Sequence, residues 1–153
     1  MIEEGKPAPE LELKSDTGET VRLGDLRGRR VVLYFYPRDD TPGCTAQACG
    51  FRDVYDELQQ EGALVLGISP DDEAAHVKFK QKYGLPFTLL ADPDHEAAER
   101  YGVWVERTQY GKKRMGIQRS TFIVDEDGNV AAAMRNVKPD ENPGKVLEAL
   151  RAA

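Results

Sequence analysis

Three stretches of the chain are mostly apolar: Val31 to Pro37 (VVLYFYP), Ala63 to Ser69 (ALVLGIS) and, with Thr88 and Asp92 as its polar members, Phe87 to Asp92 (FTLLAD). Short runs of this kind predict strands, and the first is β-branched and aromatic throughout, as expected of a central strand covered on both faces. Between these runs the period changes. Cys44, Ala48, Phe51, Tyr55 and Leu58 recur at steps of four and three, the stripe of an amphipathic helix running to about Gln60. Pro42 suits its first turn, where a missing N–H costs nothing. Residues 70 to 84 (PDDEAAHVKFKQKYG) predict a second helix, with acids at its start, lysines near its end and Gly84 as its stop. A short helix follows over 94 to 102, and a closing one over 143 to 153. Residues 11 to 22 read as two short strands about an Asp-Thr-Gly turn, followed by a turn at LGDLRG, and residues 120 to 134 as two strands about an Asp-Gly turn.

Strands that alternate with helices, with one hairpin near the end, predict an α/β fold: a central mixed β-sheet flanked by helices. This order is what a thioredoxin-like fold with an N-terminal β-hairpin extension requires. No repeat, low-complexity tract or Gly/Ser/Pro-rich linker divides the 153 residues, so residues 1 to 153 are expected to form a single domain. In open sheets of this class the working site lies beyond the carboxyl ends of the strands, and YFYPRDDTPGC carries Cys44 to that position.

Charge narrows the function. With 21 Lys and Arg against 27 Asp and Glu the formal net charge is −6, and no basic cluster exceeds Lys112 to Arg114, so a nucleic-acid footprint is absent. The first residues, MIEEGKPAPELEL, do not resemble a signal peptide, and no apolar run approaches membrane-spanning length. A protein of the cytoplasm, with no membrane partner, is expected. Two cysteines are too few for a secreted disulfide scaffold, and a close pair in a reducing compartment points to reactive or metal-binding thiols.

Both cysteines lie in PRDDTPGCTAQACGFR, residues 37 to 52. In an undistorted helix residues five apart lie about 8.6 Å from one another between Cα atoms, roughly 140° around the axis. A disulfide rarely tolerates more than about 7 Å. If Cys44 and Cys49 share one helix, they are separate thiols when reduced, and bonding them requires the helix to unwind locally. Cys44, on the apolar stripe, faces inward, and Cys49 lies on a flank. The unpaired amides and positive partial charge of a helix N-terminus favour a thiolate over a thiol. Taken alone, Cys44 also reads as a small buried hydrophobe. Thr41 is either an N-cap or a hydroxyl aimed at the thiolate or an oxygen substrate. Gly43 either permits the turn or lets a ligand approach the backbone.

Pro37, Thr41 and Cys44, spaced Pro-x-x-x-Thr-x-x-Cys, resemble the active-site signature of the peroxiredoxins. The spacing of Cys44 and Cys49 in TPGCTAQACGFRD is similar to the bacterioferritin comigratory protein, or peroxiredoxin Q, subgroup. GISPD (67 to 71), FTLLAD (87 to 92), YGVW (101 to 104) and GIQRSTFIVDEDG (116 to 128) extend the resemblance over nearly the whole chain. It implies that Cys44 is the peroxidatic cysteine, attacking a hydroperoxide and becoming a sulfenic acid, and that Cys49 resolves it as an intramolecular disulfide. It further implies that Thr41 hydrogen-bonds thiolate and peroxide and that Pro42 shields the pocket. Arg119 would hold the thiolate and polarise the peroxide bond, and the amides of Gly43 and Cys44 complete the donors. Pro37 belongs to the same pocket signature. The resemblance implies no metal or organic cofactor, hydrogen peroxide or an organic hydroperoxide as substrate, and thioredoxin, or else glutaredoxin, as reductant. The typical two-cysteine peroxiredoxins are dimers with a resolving cysteine in a C-terminal tail, but no cysteine lies beyond Cys49 here; the resemblance to the peroxiredoxin Q subgroup, commonly monomeric, implies a monomer.

Three rival readings are weaker. A protein thiol-disulfide oxidoreductase would show Cys-x-x-Cys. A metal site would have to recruit His76 and His95, which have no ligand spacing and read as surface residues. A non-catalytic interaction domain leaves the signature unexplained. Read alone, Arg119 is half of a surface ion pair, Trp104, Tyr34, Phe35, Tyr36 and Phe51 are core, and Asp71 to Glu73 is the acidic start of a helix.

Overall fold

The computed structural model describes residues 2–153. In chain order the strands are β1 (Glu12–Ser15), β2 (Thr20–Arg22), β3 (Arg30–Phe35), β4 (Ala63–Ser69), β5 (Thr88–Ala91), β6 (Trp104–Gln109), β7 (Lys112–Ile117), β8 (Ser120–Val124) and β9 (Val130–Met134). The helices are α1 (Pro42–Asp53), α2 (Tyr55–Gln60), α3 (Glu73–Tyr83), α4 (Glu96–Arg100) and α5 (Asn142–Ala152). Seven strands make one sheet in the order β2-β1-β5-β4-β3-β8-β9, and β6 and β7 form a separate ribbon. β3, β4 and β5 run parallel, and β1, β8 and β9 run antiparallel to their neighbours, so the sheet is mixed. The hairpin β1–β2 occupies one edge, as the sequence predicts.

β3 is apolar throughout because both of its faces are covered. Val31, Leu33 and Phe35 pack with Ala97, Ala98 and Tyr101 around α4 on one side. Val32, Tyr34 and Tyr36 pack on the other with Cys44, Ala48 and Phe51 of α1, Leu58 of α2, Phe79 of α3, and Val146, Leu147 and Leu150 of α5. Each large side chain buried this way contributes about 1.5–3 kcal/mol. No helix of the described residues is long and apolar enough to cross a membrane.

The structure departs from the sequence reading in four places. The single helix expected to reach Gln60 is broken: α1 ends at Asp53, and Val54 (φ −107°, ψ 12°) turns the chain before α2. The apolar stripe hides this break because Phe51 and Leu58 meet the same core on either side of it. α3 begins at Glu73 rather than residue 70, where Asp72 caps it by accepting from the Ala75 amide at 2.8 Å. The turn at LGDLRG contains a short 3-10 helix, Leu23–Leu26. Finally, β6 and β7 were not foreseen. They join through Tyr110 and Gly111, both left-handed (φ 53° and 74°), the geometry of a two-residue hairpin turn.

Candidate active site

β3 ends at Phe35, and the chain leaves the carboxyl edge of the sheet through Tyr36 and Pro37 before α1 begins at Pro42. The loop between them is fastened to α3 at two points. Asp39 meets His76, with Nδ1 and Oδ2 2.7 Å apart, and accepts from the Tyr36 hydroxyl at 2.5 Å. The Asp39 amide donates to Asp71 Oδ2 at 2.7 Å. One residue on, Asp40 takes a left-handed conformation (φ 58°) and accepts from Lys82 Nζ and the Tyr83 hydroxyl, both at 2.7 Å. These bonds hold the Asp40 carboxyl below its usual range.

His76 is therefore not a surface residue, as the sequence suggested: it is fully buried on the inner face of α3. Its Nε2 lies 2.9 Å from the Leu90 carbonyl of β5, a pure acceptor, so that nitrogen carries a hydrogen. Burial opposes a charge on the ring, but the hydrogen bond and charge of Asp39, the Leu90 carbonyl and the charge of Asp71 outweigh it and raise the pKa. Asp39, Asp71 and His76 present ligand-type atoms within 4.8 Å of one another, yet each is already engaged in the bonds that fix this loop. His95 lies elsewhere, flat against Trp104 with ring centroids 3.7 Å apart. Trp104 is thus partly buried beside the core instead of lying wholly within it.

Thr41 occupies the N-cap position in an extended conformation (φ −98°, ψ 155°), but its side chain makes no capping bond. Its hydroxyl donates to the Arg38 carbonyl at 2.9 Å instead, within the same tight loop. Pro42 takes the first helical position and is exposed. The Thr45 amide bonds to the Thr41 carbonyl at 2.8 Å, and among the described residues the amides of Gly43 and Cys44 have no acceptor. Cys44 therefore sits in the first turn of α1, 1% exposed, where the helix leaves its donors unpaired.

Arg119 reaches this turn from the neighbouring strand β8. The antiparallel register sets Phe35 opposite Ser120, so the residue before β8 emerges at the end of β3. Arg119 Nη2 donates to Cys44 Sγ at 3.4 Å, and Nη1 to Gln47 Oε1 at 2.7 Å. The surface ion pair that its sequence position suggested does not form; its partners are the thiol and a buried amide. Gly43 eases the approach. A Cβ there would stand 3.2 Å from Arg119 Nη2 and 3.5 Å from Pro139 Cγ.

Gln47 is a residue the sequence reading missed. It is fully buried one turn beyond Cys44, and its Nε2 donates to Asn142 Oδ1 at 3.0 Å. Asn142, also buried, accepts from the Thr121 hydroxyl at 2.7 Å. The signal was present: position 47 is three residues from Cys44 and four before Phe51, on the inward face, and a polar residue there needs a partner. Cys49 is half-buried on the flank of α1, and both cysteines are free thiols. Beneath them the Tyr34 ring stacks on Phe51 at 4.7 Å. Its hydroxyl has no hydrogen-bond partner, and burial, with Asp39 and Cys44 nearby, pushes it well above the ordinary phenol range. A cavity of about 720 Å³ lined by Arg29, Arg30, Glu61, Ile123 and Leu150 lies at the opposite end of β3 and contains none of these residues.

A buried thiol at a helix N-terminus, faced by a guanidinium at the carboxyl end of a mixed sheet, is the arrangement of a thiol-based redox enzyme. Residues 5–133 match the AhpC/TSA family, and the chain belongs to it. Among curated relatives, peroxiredoxin Bcp of Bacillus subtilis is 47% identical over 98% of this chain and 96% of its own. Peroxiredoxin Bcp of Escherichia coli K12 is 43% identical with the same coverage. The structure of the Xanthomonas campestris bacterioferritin comigratory protein, solved in work on its alkyl peroxide reduction, superposes with a TM-score of 0.92. It is 35% identical and covers 98% of both chains. The fold is accordingly thioredoxin-like, and the chain is a thiol peroxidase of the Bcp/peroxiredoxin Q type, acting on a peroxide and drawing its electrons from a thiol reductant.

Proposed function

We propose that Cys44 is the peroxidatic cysteine and Cys49 the resolving one. The observation that carries this reading is the 3.4 Å contact of Arg119 Nη2 with Cys44 Sγ in the first turn of α1. In the first step the Cys44 thiolate attacks the terminal oxygen of ROOH. A sulfur–oxygen bond forms as the oxygen–oxygen bond breaks, and RO⁻ leaves and takes a proton to become ROH. Cys44 is then a sulfenic acid. Arg119 and the unpaired amides of Gly43 and Cys44 are placed to stabilise charge moving from sulfur to the leaving oxygen. Thr41, its hydroxyl hydrogen committed to Arg38, retains lone pairs that can accept the proton of the hydroperoxide. In this reading Pro37 and Pro42 border the peroxide pocket; Pro37 is half-buried and Pro42 exposed, which suits a shield on the solvent side.

In the second step the Cys49 thiol attacks the sulfenic sulfur, a disulfide forms and water leaves. A dithiol reductant then accepts the oxidising equivalents. Thioredoxin fits this role better than glutaredoxin, because a locally opened α1 presents an intramolecular disulfide to a dithiol. Electrons pass only between thiols and peroxide, so no metal or organic cofactor takes part. The whole chain acts as one domain, as a monomer, in the cytoplasm.

The test is a rapid-mixing time course: reduced protein with one equivalent of hydrogen peroxide, quenched by an alkylating agent and weighed intact. Loss of both alkylation sites and two hydrogens, far faster than free cysteine reacts, is expected. Cys44→Ser removes the reaction, and Cys49→Ser consumes one equivalent and stalls as sulfenic or over-oxidised protein. Full turnover by Cys44→Ser would sink the assignment.

A further inference from the structure

We propose that Gln47 is a latch between the two half-reactions, holding Arg119 for peroxide attack and holding α1 against α5 until the disulfide forms. The inference rests on the Cys44–Cys49 pairing just proposed. Gln47 lies between the two cysteines, inside the segment that must leave helical geometry for the sulfurs to meet. Both ends of its amide are engaged, in opposite directions: the oxygen accepts from Arg119 at 2.7 Å, and the nitrogen donates to Asn142 at 3.0 Å. Unwinding the turn cannot spare these bonds.

Gln47 is the member that must move. Asn142 is anchored by Thr121 of β8 at 2.7 Å, and the Arg119 carbonyl is tied to the Val137 amide at 3.0 Å. The face of α1 that carries Gln47 is seated without spare room on the chain entering α5. A Cβ on Gly50 would come within 2.8 Å of Pro143 Cγ, and one on Gly43 within 3.5 Å of Pro139 Cγ. While the helix is intact, Gln47 completes the shell of Arg119 and fixes Nη2 against the thiol. When it opens, Gln47 is released to water, the guanidinium loses its fixed partner, and α1 loses its polar contact with α5. One side chain thus opposes resolution for as long as it supports attack.

The two roles give opposite signs, which a residue needed only for folding would not. Gln47→Leu is expected to slow the first step about tenfold by freeing Arg119, and to speed disulfide formation about tenfold by removing two buried hydrogen bonds that exist only in the closed helix. Asn142→Ala removes the α5 arm and spares the Arg119 arm, at the cost of the Thr121 hydroxyl's acceptor. It is expected to speed the second step with a smaller loss in the first, and it keeps the inference testable if Gln47→Leu folds poorly. Sulfenic acid formation is timed with hydrogen peroxide and a dione trap in the Cys49→Ser background, and disulfide formation by quenched alkylation with Cys49 present. If the wild-type chain makes no Cys44–Cys49 disulfide, the pairing and the latch fail together. If it does, and Gln47→Leu and Asn142→Ala leave disulfide formation unchanged or slower, the latch alone is overturned.

Discussion

Removing the guanidinium of Arg119 tests the electrostatic core of the site. In Arg119→Met a chain of similar length loses one positive charge and the donor 3.4 Å from Cys44 Sγ. Two unit charges at that separation attract by about 5 kcal/mol at an effective dielectric of ~20, which is an upper bound on what can be lost. Much of that attraction exists before reaction, in the thiolate itself, and cannot lower the barrier. What counts is the part retained while charge moves to the departing oxygen. Nη1 is held by Gln47 and Nη2 faces the sulfur, so in the proposed mechanism Nη2 is the donor that bridges sulfur and peroxide. Loss of a preorganised donor of this kind costs about 2.7–4 kcal/mol, or 10²–10³ in rate.

Stability should change less. Arg119→Met leaves Gln47 Oε1 without its donor, a cost of about 1–3 kcal/mol. In a chain of this size that lowers Tm by roughly 2–4 °C per kcal/mol. Arg119→Lys keeps the charge but cannot reach both Gln47 and the thiol as a fork does, and should fall between, about tenfold slower. The assay is the second-order rate of sulfenic acid formation in the Cys49→Ser background, with thermal unfolding alongside. A first step within threefold of wild type in Arg119→Met, with Tm lowered as expected, would show that the guanidinium is structural and that other groups bear the charge.

Two further tests probe the scaffold. Gly50→Ala gains about 1 kcal/mol of helix propensity, but its Cβ must displace the Pro143 ring from 2.8 Å, which costs about 1–3 kcal/mol; a lowered urea midpoint is expected, and a raised one would mean that α5 yields freely. The His76–Asp39 pair should make stability depend on pH, since the folded pKa of His76 is raised although burial opposes its charge. Its contribution is complete below the unfolded value of about 6.5 and is lost as pH rises through the folded value. The groups facing the ring are Asp39, Asp71, Tyr36 and the Leu90 carbonyl, so His76→Asn should flatten the alkaline limb of stability against pH, and an unchanged limb in a folded variant would refute the pairing.

The sequence reveals those parts of the molecule whose chemistry repeats along the chain. β3 and β4 are legible because burial on both faces leaves no polar position in VVLYFY or ALVLGI. Cys44 is legible because the end of such a strand followed by Pro42 leaves one position for a helix to begin. The ribbon β6–β7 is not, because Glu106, Arg107, Thr108, Lys112, Lys113 and Arg114 are all exposed, and only its base at Trp104 and Ile117 touches the core, too little to impose a period. Buried polar residues fail differently. His76 sits three residues before Phe79 on the buried face of α3, and Gln47 in the same way beside Ala48 on α1, so each can be flagged as needing a partner. Which partner is set by tertiary structure alone: Gln47 bonds residues 72 and 95 positions away, and His76 bonds one 37 positions away. A polar residue on an inward face is therefore a question that the sequence can pose and only the fold can answer. In this chain both answers bear on Cys44: His76 holds the loop before α1 through Asp39, and Gln47 ties α1 itself to Arg119 and Asn142.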